Sequence, residues 1–256
     1  MTIIDTHAHV DHLEDLPNVL ARAAEAHVSD IVAMSVDLDS MRSLLNIVGT
    51  YKMPRIHPAL GVHPGKVKPE IHDDVVEFMK AHIDKAIAVG ETGLDYWYKW
   101  VRKDEVERKK QKDSFGFHLD FAKQHDLPIV IHSRGAWREC LAMAQAAGTT
   151  RALFHWYSGP VDVMTEILDA GYYVSTSPSV GYSEESKAAM RAAPLDRILI
   201  ETDAPVNYRD PDGDYVAEPK DIWKTLTHLS ALKQADEVKV LEQVNTNARK
   251  FFGIVL

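Results

Sequence analysis

Short runs of apolar, often β-branched residues alternate along the chain with longer segments in which apolar residues recur at helical spacing. The apolar runs predict eight strands, at residues 3–6, 31–36, 56–60, 86–89, 129–131, 152–154, 172–175 and 198–200. The segments between them predict helices at 17–26, 40–50, 73–82, 111–124, 138–146, 161–170 and 184–192. Repeated strand–helix units in a chain of this length predict an α/β protein with a closed parallel (β/α)8 TIM-type barrel. An open, doubly wound sheet is the alternative.

The domain organisation is expected to be simple. The chain has 256 residues with 45% hydrophobic and 26% charged content, which is typical of a globular protein. No low-complexity segment or linker divides it, so we expect residues 1–256 to form a single domain. Two connections are long, at 95–110 after the fourth strand and at 204–221 after the eighth. In a barrel of this type such loops surround the active site.

Several classes of protein are disfavoured by the composition. No apolar run reaches about 18 residues, so we expect no membrane span. The first strand begins by Thr2 or Ile3 and leaves no room for a cleavable signal peptide. The single cysteine, Cys140, cannot form an internal disulfide and is expected to be a small buried residue on a helix. These features together predict a cytoplasmic protein.

Nucleotide cofactors and large anionic surfaces are also not expected as partners. No glycine-rich dinucleotide fingerprint or P-loop is present, so binding of a nucleotide cofactor is not predicted. The net charge of −9 argues against a protein that coats duplex DNA or an anionic membrane. A polyanionic substrate is still compatible with this charge if bound divalent cations supply local positive charge.

Residues that can ligate metals stand at the carboxyl ends of the predicted strands. They are His7 and His9 after the first strand, Glu91 after the fourth, His132 and His155 after the fifth and sixth, and Asp203 after the eighth. In a parallel barrel these strand ends converge on one face, where catalytic residues lie. A single carboxylate at a strand end is usually a helix cap, and a single histidine is usually a packing residue. Six such residues at one rim instead predict a divalent metal site.

The number of candidate ligands predicts two ions. Six side chains exceed the three or four that hold one catalytic zinc ion, whereas two-metal hydrolases hold ions about 3.5–4 Å apart. A carboxylate can bridge two ions, and Glu91 lies midway around the barrel. The first ion would be held by His7, His9 and Asp203, and the second by His132 and His155. Mixed nitrogen and oxygen ligands suit Mg, Mn, Zn, Ni, Co or Fe, and residue type does not select among them.

The same segments resemble the TatD-like metal-dependent hydrolases, a family within the amidohydrolase-like barrels. The resemblance spans nearly the whole chain. Its motifs are Asp-Thr-His-Ala-His at 5–9, Gly-Val-His-Pro at 61–64, Gly-Glu-Thr-Gly-Leu-Asp-Tyr at 90–96, Leu-Pro-Ile-Val-Ile-His-Ser-Arg at 127–134, His155 with Ser-Gly at 158–159, Glu-Thr-Asp-Ala-Pro at 201–205 and Asn-Ala-Arg at 247–249. It implies a TIM-type barrel, the divalent metal centre described above, and phosphodiester hydrolysis. The implied activity is that of a deoxyribonuclease, of the 3′→5′ exonuclease type, acting on DNA ends or single strands.

Five residues are given roles in this hydrolysis. Glu91 and Asp203 are expected to be catalytic, with Asp203 accepting a proton from a metal-activated water. His63 is a candidate contact to the scissile phosphate or a residue of the pocket wall. Arg134 could present its guanidinium fork to a phosphate oxygen, or could be a surface arginine at a helix start. Asp95 is expected to orient a metal ligand from behind, or to cap the following turn.

The remaining aromatic and histidine residues are predicted to be structural. Trp97, Tyr98 and Trp100 lie near Arg102, Lys103 and Arg108, a mixture that suits stacking on single strands. Acidic residues neutralise this stretch, however, so it is interpreted as a solvated helix start with packing aromatics. The other histidines are expected to be surface or interhelical residues: His12, His27, His72, His82, His118, His125 and His228.

Two functional alternatives use the same residues. One is a hydrolase of the same barrel class that acts on a small ester, amide or phosphoester. The other is a non-catalytic binding or scaffolding protein, in which the metals are structural and the site is closed, with no open coordination position.

Overall fold

Eight parallel strands form the main sheet, in the sequential order β1 to β8. A computed structural model describes residues 1–210 and 213–255 of the chain. The strands are β1 Ile3–Ala8, β2 Val28–Met34, β3 Arg55–Leu60, β4 Ala88–Gly93, β5 Ile129–His132, β6 Ala152–Phe154, β7 Tyr173–Thr176 and β8 Ile198–Ile200. Ala8 pairs in parallel with Ala204, just beyond β8, and this pairing brings the first and last strands together. The predicted (β/α)8 barrel is therefore confirmed, and the open doubly wound sheet is wrong.

Helices follow each strand and surround the barrel. They are α1 Leu16–Glu25, α2 Leu38–Ile47, α3 His72–His82, α4 Glu105–Gln124, α5 Trp137–Ala146, α6 Val161–Asp169, α7 Glu184–Ala192, α8 Ile222–Lys233 and α9 Glu237–Phe252. The predicted start of α4 at residue 111 is wrong, because Asp104 accepts hydrogen bonds from the amides of Val106 and Glu107 and begins the helix earlier. Cys140 is buried on α5, as predicted. Among the described residues, no helix is long and apolar enough to cross a membrane.

The alternation of side chains along the strands creates two apolar layers. Residues such as Ile3, Ile31 and Ile129 pack outward against the helices. Their neighbours, including Ile4 and Val130, fill the interior of the barrel. Phe251 and Phe252 of α9 join this interior cluster, and the Asn245 side chain on the same helix accepts a hydrogen bond from the Ile4 amide. Because α9 covers the amino-terminal end of the strands, the opposite end is left for a functional site.

The long connection predicted at 204–221 contains additional structure. Strands β9 Asn207–Tyr208 and β10 Tyr215–Val216 form a small antiparallel hairpin. The Arg22 side chain of α1 donates two hydrogen bonds, of 2.8 and 2.7 Å, to the Glu218 carboxylate. Residues 211 and 212 of this loop lie outside the described residues. The connection is thus tied to the barrel wall beside the carboxyl end of β8.

Candidate metal centre

All six predicted metal ligands meet at the carboxyl end of the barrel. Five of them line a cavity of about 1020 Å³: His9, Glu91, His132, His155 and Asp203. His7, on β1, lies beneath the cavity floor and is completely buried. The structure therefore brings together, on one rim, side chains that are separated by up to two hundred residues in the sequence, because the ends of parallel strands converge there.

Glu91 stands at the centre of this cluster, between two pairs of imidazoles. Its Oε2 atom lies 3.5 Å from His7 Nε2 and 3.4 Å from His9 Nε2. Its Oε1 atom lies 2.7 Å from His132 Nδ1 and 2.8 Å from His155 Nε2. One carboxylate oxygen thus faces each pair, which is the arrangement that a bridging carboxylate requires.

Asp203 joins the His7 and His9 side of the cluster. Its Oδ1 atom lies 3.3 Å from the Nε2 atoms of both histidines. The backbone amide of Asp203 donates a 2.9 Å hydrogen bond to the His7 carbonyl, which holds the end of β8 beside β1. Asp203 also has a positive φ of 51°, a conformation that is uncommon outside glycine and tends to occur at functional sites.

Three of the imidazoles are held from behind by a hydrogen-bond acceptor. His9 Nδ1 donates to the Met34 carbonyl at 3.1 Å, and His155 Nδ1 donates to Glu201 Oε1 at 3.3 Å. His132 Nε2 donates to Asp95 Oδ2 at 2.9 Å. Because these oxygens only accept, each bond fixes the proton on the outer nitrogen and directs the inner nitrogen toward Glu91. This is the usual way in which proteins orient metal-binding histidines.

Buried polar atoms in the cluster fit a bound cation. Both ring nitrogens of His7 and the Oδ1 atom of Asp203 are buried, and none has a hydrogen-bond partner among the described residues. Leaving such atoms unpaired is costly unless something else satisfies them. Ligand atoms of His7, His9 and Asp203 all lie within 4.8 Å of one another, and those of Glu91 and His132 approach to 2.7 Å on the other side of the cluster. The residues present therefore suit a divalent metal with mixed nitrogen and oxygen ligands.

The electrostatics of the cluster also favour positive charge. Burial alone would raise the pKa of Glu91, but the surrounding imidazoles, His155 foremost, outweigh it and hold that pKa well below its usual range. Burial likewise opposes ionisation of Asp203, but the imidazoles of His9 and His7 beside it lower its pKa. Burial should lower the pKa of His9, yet the adjacent carboxylates of Asp203 and Glu91 raise it to about 10. The cluster thus stabilises cations in its interior, whether protons or metal ions.

His63 differs from the other histidines of the site. Its Nδ1 atom accepts a 2.9 Å hydrogen bond from the Gly65 amide, so the proton of the neutral ring resides on Nε2. That Nε2 atom lies 3.7 Å from Glu91 Oε1. Burial lowers the pKa of His63 to about 3, which keeps the ring neutral. His63 therefore presents a hydrogen-bond donor, rather than a lone pair, to the interior of the site.

Asp95 connects His132 to Arg134. Its buried Oδ2 atom accepts from His132 Nε2 and, at 2.8 Å, from Arg134 Nη2. Its Oδ1 atom accepts a 2.9 Å bond from the Trp97 amide, so the same side chain also caps the following turn. The Arg134 side chain is 44% exposed and lines the cavity, so its other N–H groups are open to a ligand.

Close contact between β4 and β5 brings Glu91 and Asp95 within reach of His132. Gly93 lies between these two carboxylates in the chain and has a φ of +140°. A Cβ atom on Gly93 would lie 2.0 Å from the His132 carbonyl oxygen. Only glycine fits this approach, so Gly93 helps to determine the geometry of the site.

Glu201 is a site residue to which no role was assigned from the sequence. It is completely buried, accepts from His155 Nδ1, and accepts a 2.6 Å hydrogen bond from Ser175 Oγ. The signal available is its position directly after β8 and two residues before Asp203. His12 is exposed, as predicted, and also lines the cavity.

The interpretation of Trp97 and Trp100 as packing aromatics at a helix start is wrong. Their exposed fractions are 59% and 56%. The reason is that α4 begins only at Glu105, so both residues lie on the preceding connection, without a helical face to bury. Tyr98 is partly buried and lies close to Gly65 at the cavity wall.

Comparison with known proteins supports the fold and the family. The family model described as TatD related DNase matches residues 4–253. An uncharacterized metal-dependent hydrolase, BU355, of Buchnera aphidicola is 30% identical over 272 residues, covering 99% of this chain and all of that protein. The deoxyribonuclease TATDN3 of Homo sapiens is 28% identical over 262 residues, covering 98% of this chain and 94% of that protein. The crystal structure of YJJV, a TatD homologue from Escherichia coli K12, covers 99% of this chain and 98% of its own, with 23% identity and a TM-score of 0.87.

The extent of these matches confirms the resemblance that the motifs predict. The family model covers nearly the whole chain, and the relatives are covered almost end to end. The matched span of 4–253 includes every residue of the histidine and carboxylate cluster. The chain belongs to the TatD related DNase family.

Proposed function

We propose that this protein is a metal-dependent deoxyribonuclease that hydrolyses phosphodiester bonds with two divalent ions. Its substrates would be DNA ends or single-stranded DNA, cleaved in the 3′→5′ direction. The observation that carries the proposal is the position of Glu91, whose two oxygens face two different pairs of imidazoles. The names of the relatives, a deoxyribonuclease and a metal-dependent hydrolase, point to the same chemistry. We further propose that residues 1–256 act as one domain in the cytoplasm.

The proposed ligands form two groups, one on each side of the Glu91 carboxylate. One ion would be held by His7, His9 and Asp203, the other by His132 and His155, with Glu91 shared. Bound divalent cations would supply charge neutralisation at the scissile phosphate and would acidify a water molecule. The Asp203 carboxylate would accept a proton from the attacking water. Either Mg²⁺ or Mn²⁺ is a suitable first ion to test.

Two further residues would contact the phosphate. His63 stays neutral and directs its Nε2–H group into the site, so it would donate to a phosphate oxygen. Arg134 is held by Asp95 through Nε and Nη2 and would donate with its free N–H groups. Charge that develops on the phosphate oxygens would therefore meet donors that are already in position, which is the most effective form of stabilisation.

The test combines cleavage with metal analysis. The purified chain should degrade end-labelled single strands when Mg²⁺ or Mn²⁺ is added, and shortening of a 5′-labelled strand one nucleotide at a time would establish the direction. Glu91→Gln should abolish both cleavage and the binding of two ions per chain. Glu77→Gln, which alters an exposed residue on α3, is the matched control and should behave as the wild type. Full activity of Glu91→Gln, or no metal-dependent cleavage by the wild type, would refute the proposal.

A second candidate function uses the same centre on a small ester, amide or phosphoester. The cavity of about 1020 Å³ favours it, because this volume is large enough to hold a small molecule. A panel of such substrates, assayed beside the oligonucleotides, distinguishes the two. A kcat/KM that is orders of magnitude higher for a small ester would reverse the order of the proposals.

A further inference from the structure

An exposed aromatic surface lies at the mouth of the metal centre. We call it the tryptophan rim and define it by Trp97, Tyr98, Trp100 and Arg134. Trp97 and Trp100 have more than half of their surface exposed, although tryptophan is usually largely buried. Exposed aromatic rings beside a cavity commonly mark a binding site.

The rings of the rim are supported in defined orientations. Tyr98 stacks on Trp100, with ring centres 4.2 Å apart and planes 23° apart. The Arg134 guanidinium lies 5.3 Å from the centre of the Tyr98 ring and 5.8 Å from that of Trp97. The Trp97 indole rests on Gly135, where a Cβ atom would lie only 2.4 Å from the ring. These contacts hold the rings in place while both tryptophans stay more than half exposed to solvent.

The rim is continuous with the proposed catalytic residues. Tyr98 meets the His63 ring edge to face, with centres 6.4 Å apart. Arg134 shares the Asp95 carboxylate with His132. A strand whose phosphate reaches His63 and His132 would therefore pass over the rim as it leaves the site.

Three further cationic side chains lie near the rim, although the whole chain carries a net charge of −9. The acidic residues Glu105 and Glu107 of this stretch pair instead with Arg108 and Lys110. Lys66 lines the cavity, and Arg102 lines the adjoining depression beside Trp97. Lys99 is exposed between the aromatic residues. Within the described part of the chain, no carboxylate lies within 4 Å of any of these three cationic groups. Aromatic faces among unpaired cations are complementary to unpaired bases on a phosphate backbone.

We propose that the tryptophan rim stacks the unpaired bases of a single DNA strand whose phosphate enters the metal centre. The inference rests on the proposed nuclease function and adds the element that selects single strands. In duplex DNA the faces of the bases are already stacked on one another, so a duplex offers the rim only its backbone. Because every base has a stacking face, the rim would bind strands with little preference for sequence.

The test measures binding separately from cleavage. Short thymidine strands and abasic strands of equal length, both with phosphorothioate linkages that resist cleavage, are titrated into the full chain and followed by fluorescence anisotropy. The wild type should bind the thymidine strand about tenfold or more tightly than the abasic strand. We call the ratio of the two affinities, thymidine strand over abasic strand, the base-dependent gain. In Trp97→Leu and in Trp100→Leu this ratio should fall by at least about fivefold, while the affinity for the abasic strand stays unchanged. Circular dichroism and thermal unfolding verify that the variants fold.

Tyr182→Leu is the matched control. Tyr182 is an exposed aromatic residue in the connection after β7 that lines the same cavity, and its loss should leave the base-dependent gain intact. Equal binding of thymidine and abasic strands by the wild type, tight binding of duplex DNA, or an equal loss in Tyr182→Leu would each overturn the inference. Absence of cleavage by the wild type in the assay with Mg²⁺ or Mn²⁺ would refute the proposed function instead, so the two failures are distinguishable.

Discussion

The buried carboxylate of Asp95 holds the imidazole of His132 on the side opposite to Glu91. Asp95 Oδ2 lies 2.9 Å from His132 Nε2, whereas Nδ1 of the same ring lies 2.7 Å from Glu91 Oε1. Burial opposes ionisation of Asp95, but its bonds to His132 and Arg134 prevail and lower its pKa. The charged carboxylate therefore determines which nitrogen of His132 faces the metal centre.

Replacement of Asp95 should weaken metal binding without removing a ligand. In Asp95→Asn the amide can present an N–H group to His132 and no longer fixes its proton, so we expect metal affinity or activity to fall by about 10- to 100-fold. Calorimetric titration with Mn²⁺ measures the affinity. Asp104→Asn alters a residue on the same connection that caps α4 and should leave the affinity unchanged. Equal affinities of Asp95→Asn and wild type would contradict the positioning role.

His63 should affect turnover rather than metal content. Because its Nδ1 atom accepts from the Gly65 amide, its Nε2–H group is a donor, and His63→Ala removes that donor. We expect kcat to fall by about 100-fold, as for the loss of one donor to a developing negative charge. Elemental analysis should find the metal content of the wild type in the variant. Loss of an ion in His63→Ala would show that His63 is a ligand instead.

A methyl group at Gly93 should disturb the site through the backbone. The added Cβ would lie 2.0 Å from the His132 carbonyl, so Gly93→Ala requires β4 and β5 to move apart. We expect a loss of about 2 kcal/mol or more in the free energy of unfolding, together with reduced activity. Gly171→Ala is the matched control, because Gly171 also has a positive φ but has no heavy atom near the new Cβ. The control should lose only about 1 kcal/mol; equal losses in denaturant titrations would contradict the steric explanation.

Asp30 should make the free energy of unfolding decrease as the pH becomes acidic. It is buried on β2, and although burial opposes ionisation, hydrogen bonds from His57 at 2.7 Å and Arg55 at 2.8 Å hold its pKa at about 2. This folded-state pKa lies below the ordinary value of 3.8. The ionised Asp30 carboxylate therefore stabilises the folded protein fully above about pH 4, and this stabilisation is lost as the pH falls toward 2. The contribution is about 2 kcal/mol.

Denaturant titrations between pH 2 and pH 5 would measure this effect. Asp30→Asn should flatten the dependence of the unfolding free energy on pH in that window. Asp39→Asn, which changes a side chain that is 92% exposed, should retain the slope of the wild type. An unchanged slope in Asp30→Asn would assign the acid sensitivity to other carboxylates.

The family, the barrel and the location of the candidate site could be predicted from the sequence. Each depends on local order: an apolar run predicts a strand, and the polar residue that ends it lies at the carboxyl end of that strand. Parallel strands in a barrel bring these ends to one rim, so His7, Glu91 and Asp203 could be grouped without coordinates. The start of α4 could not be predicted from the apolar pattern, because a single capping aspartate, Asp104, extends the helix beyond its apolar stripe.

The orientation of the side chains could not be predicted. The acceptors behind His9 and His155, which are the Met34 carbonyl and Glu201, come from distant parts of the chain and decide which ring nitrogen faces inward. The exposure of Trp97 depends on where α4 begins and on its contact with Gly135. The sequence by itself therefore determined the barrel, the family and the residue types at its rim, because strand periodicity and strand ends are local properties. Only the tertiary structure decided tautomers, bridging geometry and exposed surfaces, because these arise from contacts between segments that are far apart in the chain.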